Sequence, residues 1–209
     1  MHESYLCNVG QLMKVREIIL EEIIQPSTQP GTMSLWHGGN LDAVVKYSTG
    51  RSEYGPGLYL ITNYESVKKY AKGSRKLYMI TIAQGRSANE VTIPLPDVLN
   101  FVKLYVVAAK RKDVTARMTN LAKDGNNILA EHFINVIVNE EAIRPGNKAV
   151  EREFLVQHGC DYLVVNNPFG WGNATMIVLF NMNKIVNTQV VKPKDTIAHY
   201  DLPAGFVQG

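Results

Sequence analysis

Ser34 to Tyr70 reads SLWHGGNLDAVVKYSTGRSEYGPGLYLITNYESVKKY, and the rest of the 209-residue chain reads as a frame around it. An apolar strand, roughly Met33 to His37, ends in the turn His37-Gly38-Gly39. Asn40 predicts the cap of a short helix over Leu41 to Tyr47, and Gly50 to Gly57 predicts a loop punctuated by glycines and Pro56. The run Leu58 to Thr62, LYLIT, predicts a buried strand, and Asn63 predicts the cap of a helix that carries Val67, Tyr70 and Ala71 before Gly73 stops it. Together these residues suit a pocket for a flat ring attached to a sugar.

The residue types carry that reading. His37 follows the strand end Leu35-Trp36, so its imidazole belongs at the rim of a sheet, within reach of a ligand hydroxyl. Gly38 and Gly39 let the main chain approach a planar ligand with no Cβ in the way; the alternative is that both serve the turn alone. Gly55-Pro56-Gly57 launches Tyr59 onto its strand, and Tyr70 lies far enough along to return opposite it. Two rings so placed would sandwich a heterocycle, each face gaining roughly 0.5–1.5 kcal/mol beyond area burial. Equally, Tyr59 and Tyr70 fit as ordinary core aromatics.

Outward from this block, Val9, Leu12, Met13, Ile19, Ile23 and Ile24 recur at helical spacing, and Pro26 to Gly31 ends that N-terminal helix. Lys76 to Ile82 returns as a strand. From about 94 to 159 the period becomes helical, with helices expected around Val98 to Val106, Val114 to Lys123, Ile128 to Glu141 and Ala149 to His158, and Lys110 to Lys112 as a helix junction. Strands resume at Asp161 to Val165 and Met176 to Phe180, with an extended segment from Lys184 to Val191. This pattern predicts a single α+β domain over 1–209, a mixed or antiparallel sheet interrupted by a helical insertion. The loop Asn166 to Thr175, with Phe169 and Trp171, is either a recognition loop or a sheet connection.

Composition narrows the classes. With 45% hydrophobic and 20% charged residues the chain can bury a core and is not of disordered type. No apolar run is long enough to span a membrane and no secretory leader is read, so a soluble cytoplasmic protein is expected. Cys7 and Cys160 are too few for a disulfide framework, and no His, Cys or acid spacing suits a metal; Glu131-His132 lacks the second histidine of a zinc-protease motif. A net charge of +3 falls short of a dedicated nucleic-acid binder.

The strand ending in His37-Gly38, the glycine-rich loop, Gly57-Leu58-Tyr59-Leu60 and a second Tyr eleven residues later resemble the NAD-binding core of the ADP-ribosyltransferases. The likeness is to the diphtheria-toxin and poly(ADP-ribose) polymerase branch, with its His-Tyr-Glu signature. It covers Ser34 to Ile82 well and Asp161 to Ile185 loosely. It implies an ADP-ribosyltransferase-like split sheet, with NAD as co-substrate and no metal. His37 would bond a ribose hydroxyl and Gly38 the nicotinamide carboxamide through its main chain. Gly57 would belong to the cofactor-binding loop, and Tyr59 and Tyr70 would stack on the nicotinamide; His37 and Tyr59 are the catalytic assignments. Val67 stands where many members have a serine, leaving Ser66 or Thr62 to replace it.

One position departs from the signature. The family's glutamate opens a strand that corresponds to Met176-Ile177-Val178-Leu179-Phe180, which puts Met176 in its place. Polar help could come from Asn173 or Thr175, or from Glu131, Glu140, Glu151 or Glu153 of the insertion, whose ordinary place is a solvated helix face. Lys68, Lys69, Lys72, Arg75 and Lys76 would guide a pyrophosphate or nucleic acid, or form a solvated face. The resemblance implies a mono-ADP-ribosyltransferase acting on a protein or nucleic-acid acceptor, as a toxin or effector with an antitoxin or inhibitor partner. The alternative is a catalytically impaired module that binds NAD or ADP-ribose. An RNA 2'-phosphotransferase ranks below both, because the core strands offer almost none of the arginines it would need.

Overall fold

Apolar runs such as LYLI and MIVL belong to strands buried on both faces, and the computed structural model places them so. It describes residues 23–24, 30–39, 41, 53–68, 76–122, 125–144, 147–168, 174–191 and 196–197. The strands are β1 (Ile23–Ile24), β2 (Thr32–Gly39), β3 (Leu58–Ile61), β4 (Lys76–Ala83), β5 (Thr92–Pro94), β6 (Asn127–Leu129), β7 (Tyr162–Asn166), β8 (Thr175–Leu179), β9 (Ile185–Val191) and β10 (Thr196–Ile197). The helices are α1 (Tyr64–Lys68), α2 (Leu95–Tyr105), α3 (Arg111–Leu121), α4 (Ala130–Asn139) and α5 (Lys148–Gln157).

Six strands form the main sheet in the order β7-β8-β3-β2-β4-β9, every neighbouring pair antiparallel. The fold is therefore α+β. Its sheet is nearly divided: β2 and β3 are registered at one pair only, Trp36 with Ile61, whereas β2 runs beside β4 from Thr32–Ala83 to Gly39–Lys76. Two three-stranded halves meet at this seam.

Cores lie on both faces. Trp36, Ile61, Met176 and Val178 meet Phe101, Phe133, Ile134 and Leu155 of the helical layer on one side. Phe101, Phe133 and Phe154 there stack pairwise at 4.6–5.2 Å between ring centres, each pair contributing about 1 kcal/mol beyond area burial. On the other side Leu35, Leu58, Leu60, Ile80, Ile82, Ile177 and Leu179 form a second cluster.

Three expected elements differ. The expected turn His37-Gly38-Gly39 is strand, because β4 continues beside it: His37, Gly38 and Gly39 pair with Tyr78, Leu77 and Lys76, which leaves His37 buried within the sheet and not at its rim. Ile23 and Ile24 form a strand beside Thr196 and Ile197 and do not continue a helix; residues 1–22 lie outside the described residues. Ile128 and Leu129, expected in a helix, pair with Ile93 and Thr92, so the third helix begins at Ala130. Helical spacing cannot reveal a ladder whose partner lies beyond two intervening helices. Elsewhere the local signals hold: Asn63 Oδ1 accepts the Ser66 N–H at the start of α1, and Ala108–Lys110 is a 3-10 turn leading into α3. Lys110 Nζ donates to the Glu140 carbonyl, and Arg111 Nε donates to Val106 O at 2.9 Å.

Asp161 ties the insertion's exit to the sheet. Its carboxylate accepts from the Arg86 N–H (2.9 Å) and from Asn181 Nδ2 (2.7 Å), and lies 3.4 Å from Lys184 Nζ. A Cβ at Gly85 would sit 2.4 Å from Asp161 Oδ2, so the close approach needs glycine there. Asp161→Ala strips a buried acceptor from several donors and is expected to cost about 2–4 kcal/mol, read as a lower urea midpoint at unchanged m-value. An unchanged midpoint would remove Asp161 from this role.

Candidate functional site

His37 sits on the seam. It is buried, and its Nδ1 lies 3.0 Å from the main-chain oxygen of Tyr59 across the gap between the halves. A carbonyl only accepts, so Nδ1 carries the proton and Nε2 is left as a lone-pair acceptor. Burial lowers the His37 pKa below its ordinary value, and the Tyr59 bond raises it only in part, so the ring is neutral at pH 7. Nε2 is buried and has no hydrogen-bond partner among the described residues. A Cβ at Gly39 would lie 3.2 Å from Nε2, so the main chain of residue 39 closes against the ring edge.

Gly38 and Tyr59 form the other part of the seam. Gly38 lies two residues from Trp36 and Tyr59 two from Ile61, so both belong to the face toward the helices. Both are partly exposed in strands otherwise almost wholly buried. The His37 imidazole, one residue out of phase, points to the opposite face, where it neighbours Tyr78 at 6.2 Å between ring centres. The structure thus joins His37 to Tyr59 through a carbonyl and not ring to ring. Tyr70 lies outside the described residues, so its return opposite Tyr59 does too.

The Tyr59 hydroxyl works inside its own loop, donating to Gly55 O (2.9 Å) and accepting from the Tyr54 N–H (3.1 Å). Gly55 has φ +100, and a Cβ on it would meet Ile134 Cγ2 of α4 at 3.1 Å. Gly57 has a packing duty: a Cβ there would lie 2.7 Å from the Leu179 carbonyl oxygen. Sequence reasoning passed over Tyr64, which packs edge-on against Trp36 at 5.1 Å; an aromatic at the first helical position after Asn63 was the available signal.

The position that the resemblance would give to a glutamate is apolar in the structure. Met176 is 1% exposed and pairs with Ile61 and Val165 in the core. Thr175 points to the other face and donates to Asn166 Oδ1, while the Thr175 N–H donates to Thr62 Oγ1. Val67 is buried in the core, and Asn173 lies outside the described residues. Of the four glutamates, Glu153 is exposed, Glu131 is half-buried, Glu140 pairs with Arg117 at 2.7 Å, and Glu151 is fully buried with its pKa raised to about 8. Burial dominates that rise and Lys148 opposes it. Glu151 therefore departs from the solvated-face expectation.

Lys76 is exposed, whereas Lys69, Lys72 and Arg75 lie outside the described residues, as does Cys7. Cys160 is a buried free thiol whose pKa burial pushes up to about 12. Among the described residues no group of three His, Cys, Asp or Glu converges as a metal site, and no helix is long and apolar enough to cross a membrane. Set against known protein families, curated proteins and solved structures, the chain matches none of them.

Proposed function

We propose that the seam binds NAD and that the protein transfers ADP-ribose from it to a protein or nucleic-acid acceptor. The observation that carries this reading is the state of His37: a neutral ring, its proton committed to Tyr59 O, with a buried acceptor nitrogen that has no partner among the described residues. A ribose hydroxyl donates to such a nitrogen. Gly38 and Tyr59, partly exposed on the same face, suit a flat carboxamide-bearing ring, and the resemblance to the His-Tyr-Glu transferases agrees with both placements.

In the reaction, the bond from the anomeric carbon to the nicotinamide nitrogen breaks and nicotinamide leaves with the bonding pair. The acceptor's nucleophilic atom bonds to that carbon and releases its proton to solvent. Positive charge builds on the sugar meanwhile, and Met176 offers it no carboxylate. That observation favours a second reading, a module that binds NAD or ADP-ribose without turning it over.

Labelled NAD incubated with the chain and cell lysate separates the two. Under the transferase reading, label enters the protein or nucleic-acid fraction, and His37→Ala removes it while weakening NAD binding about 10- to 100-fold. Binding should also fade in acid, as Nε2 takes a proton and ceases to accept. Tight binding with neither label transfer nor nicotinamide release would decide for the module, and absence of NAD binding would defeat both.

A further inference from the structure

We propose that Tyr59 is a positioning residue and not a proton-transfer group: its hydroxyl locks the glycine loop and its own ring, while its carbonyl sets the His37 tautomer. The proposal rests on the NAD reading of the seam and assigns Tyr59 a task within it. A phenol has one proton to donate, and Tyr59 gives it to Gly55 O, while it also accepts the Tyr54 N–H. The proton is therefore spent within the loop. The ring is tied at its far end to the segment that its own strand follows.

That segment is held from two further sides. Gly55 packs against Ile134 of α4, with Phe180 beyond the end of β8 next to it, so the helical layer, the loop and Tyr59 form one packed stack. At its other end Tyr59 presents its main-chain oxygen to His37 Nδ1. One residue thus fixes a ring face on one side of the sheet and the acceptor nitrogen on the other. A ligand that spans the seam meets both already oriented, which lowers the ordering cost of binding.

The test compares Tyr59→Phe, Tyr59→Ala and Gly55→Ala. In the ligand-free chain, Tyr59→Phe should speed amide hydrogen exchange at Tyr54 and leave exchange along β8 unaltered. It should weaken NAD binding about 3- to 10-fold, the worth of one neutral hydrogen bond, with the loss in turnover falling on KM. Gly55→Ala should do the same, because it displaces the carbonyl that the phenol bonds while leaving the phenol itself in the chain, and Tyr59→Ala should lose more than either. A pH profile of unaltered shape in Tyr59→Phe supports positioning. A fall in kcat of about 100-fold or more with loss of the basic limb of that profile would show the hydroxyl moving a proton and overturn the proposal. Unchanged Tyr54 exchange would overturn the lock. A chain that binds no NAD defeats the reading beneath the proposal, and the exchange experiment then decides the lock separately.

Discussion

Glu151→Gln is expected to stabilise the protein by about 2–4 kcal/mol at pH 8.5 and to change it little at pH 4. Glu151 is 3% exposed on α5, and one carboxyl oxygen has no partner among the described residues. Burial raises its pKa from 4.5 to about 8, against a smaller opposing effect of Lys148, whose own pKa burial lowers. Between these two values the unfolded chain releases the proton that the folded chain keeps. The folded state therefore binds more protons, and stability falls as pH rises from about 4.5 to about 8, then levels off. At about 1.4 kcal/mol per pH unit the interval sets a ceiling near 5 kcal/mol, which local relaxation reduces. Glutamine keeps the shape of the neutral acid and cannot ionise. Urea midpoints for both chains from pH 4 to pH 9 should converge in acid and diverge in base; parallel curves would mean that Glu151 ionises freely.

Gly57→Ala is expected to cost about 2–4 kcal/mol and to lower Tm by roughly 5–15 °C. The added Cβ would meet the Leu179 carbonyl oxygen and Val178 Cγ1, both at 2.7 Å. Neither yields easily, because the carbonyl belongs to a strand paired on both sides by β3 and β7. Gly125→Ala is the control: its positive φ of 71 imposes backbone strain, yet a Cβ there meets nothing within 4 Å, so about 1 kcal/mol is expected. Calorimetry on the two variants separates crowding from backbone conformation. Equal losses would mean that β8 yields to the added Cβ at little cost and that Gly57 has no packing duty.

Local chemistry was legible wherever the chain decides it locally. Asn63 announced its cap, LYLIT announced a buried strand and MIVLF a strand, and the helical period announced α2, α3, α4 and α5 to within a few residues. Distant pairings were not legible. Ile128 looks helical until Ile93 lies beside it, and Ile23 until Thr196 does. The same division runs through the site. His37 was legible between apolar and glycine neighbours, but that β2 runs past it to Gly39 was not, and the tautomer depends on Tyr59 O, whose position only the strand order sets. The duties of Gly57 and the Tyr59 hydroxyl were hidden for the same reason, as was the burial of Glu151 on a helix whose other acid, Glu153, is exposed.

The single Trp36–Ile61 pair between the half-sheets has a mechanical consequence. A ladder joined at one rung resists shear poorly there, while the paired strands to either side move as stiff plates. A molecule seated across the joint, bonded to His37 on one plate and resting on Tyr59 on the other, would act as a second rung. Its binding would then register as stiffening of the whole sheet, legible in slowed amide exchange along β7 and β9, the outer strands that it does not touch.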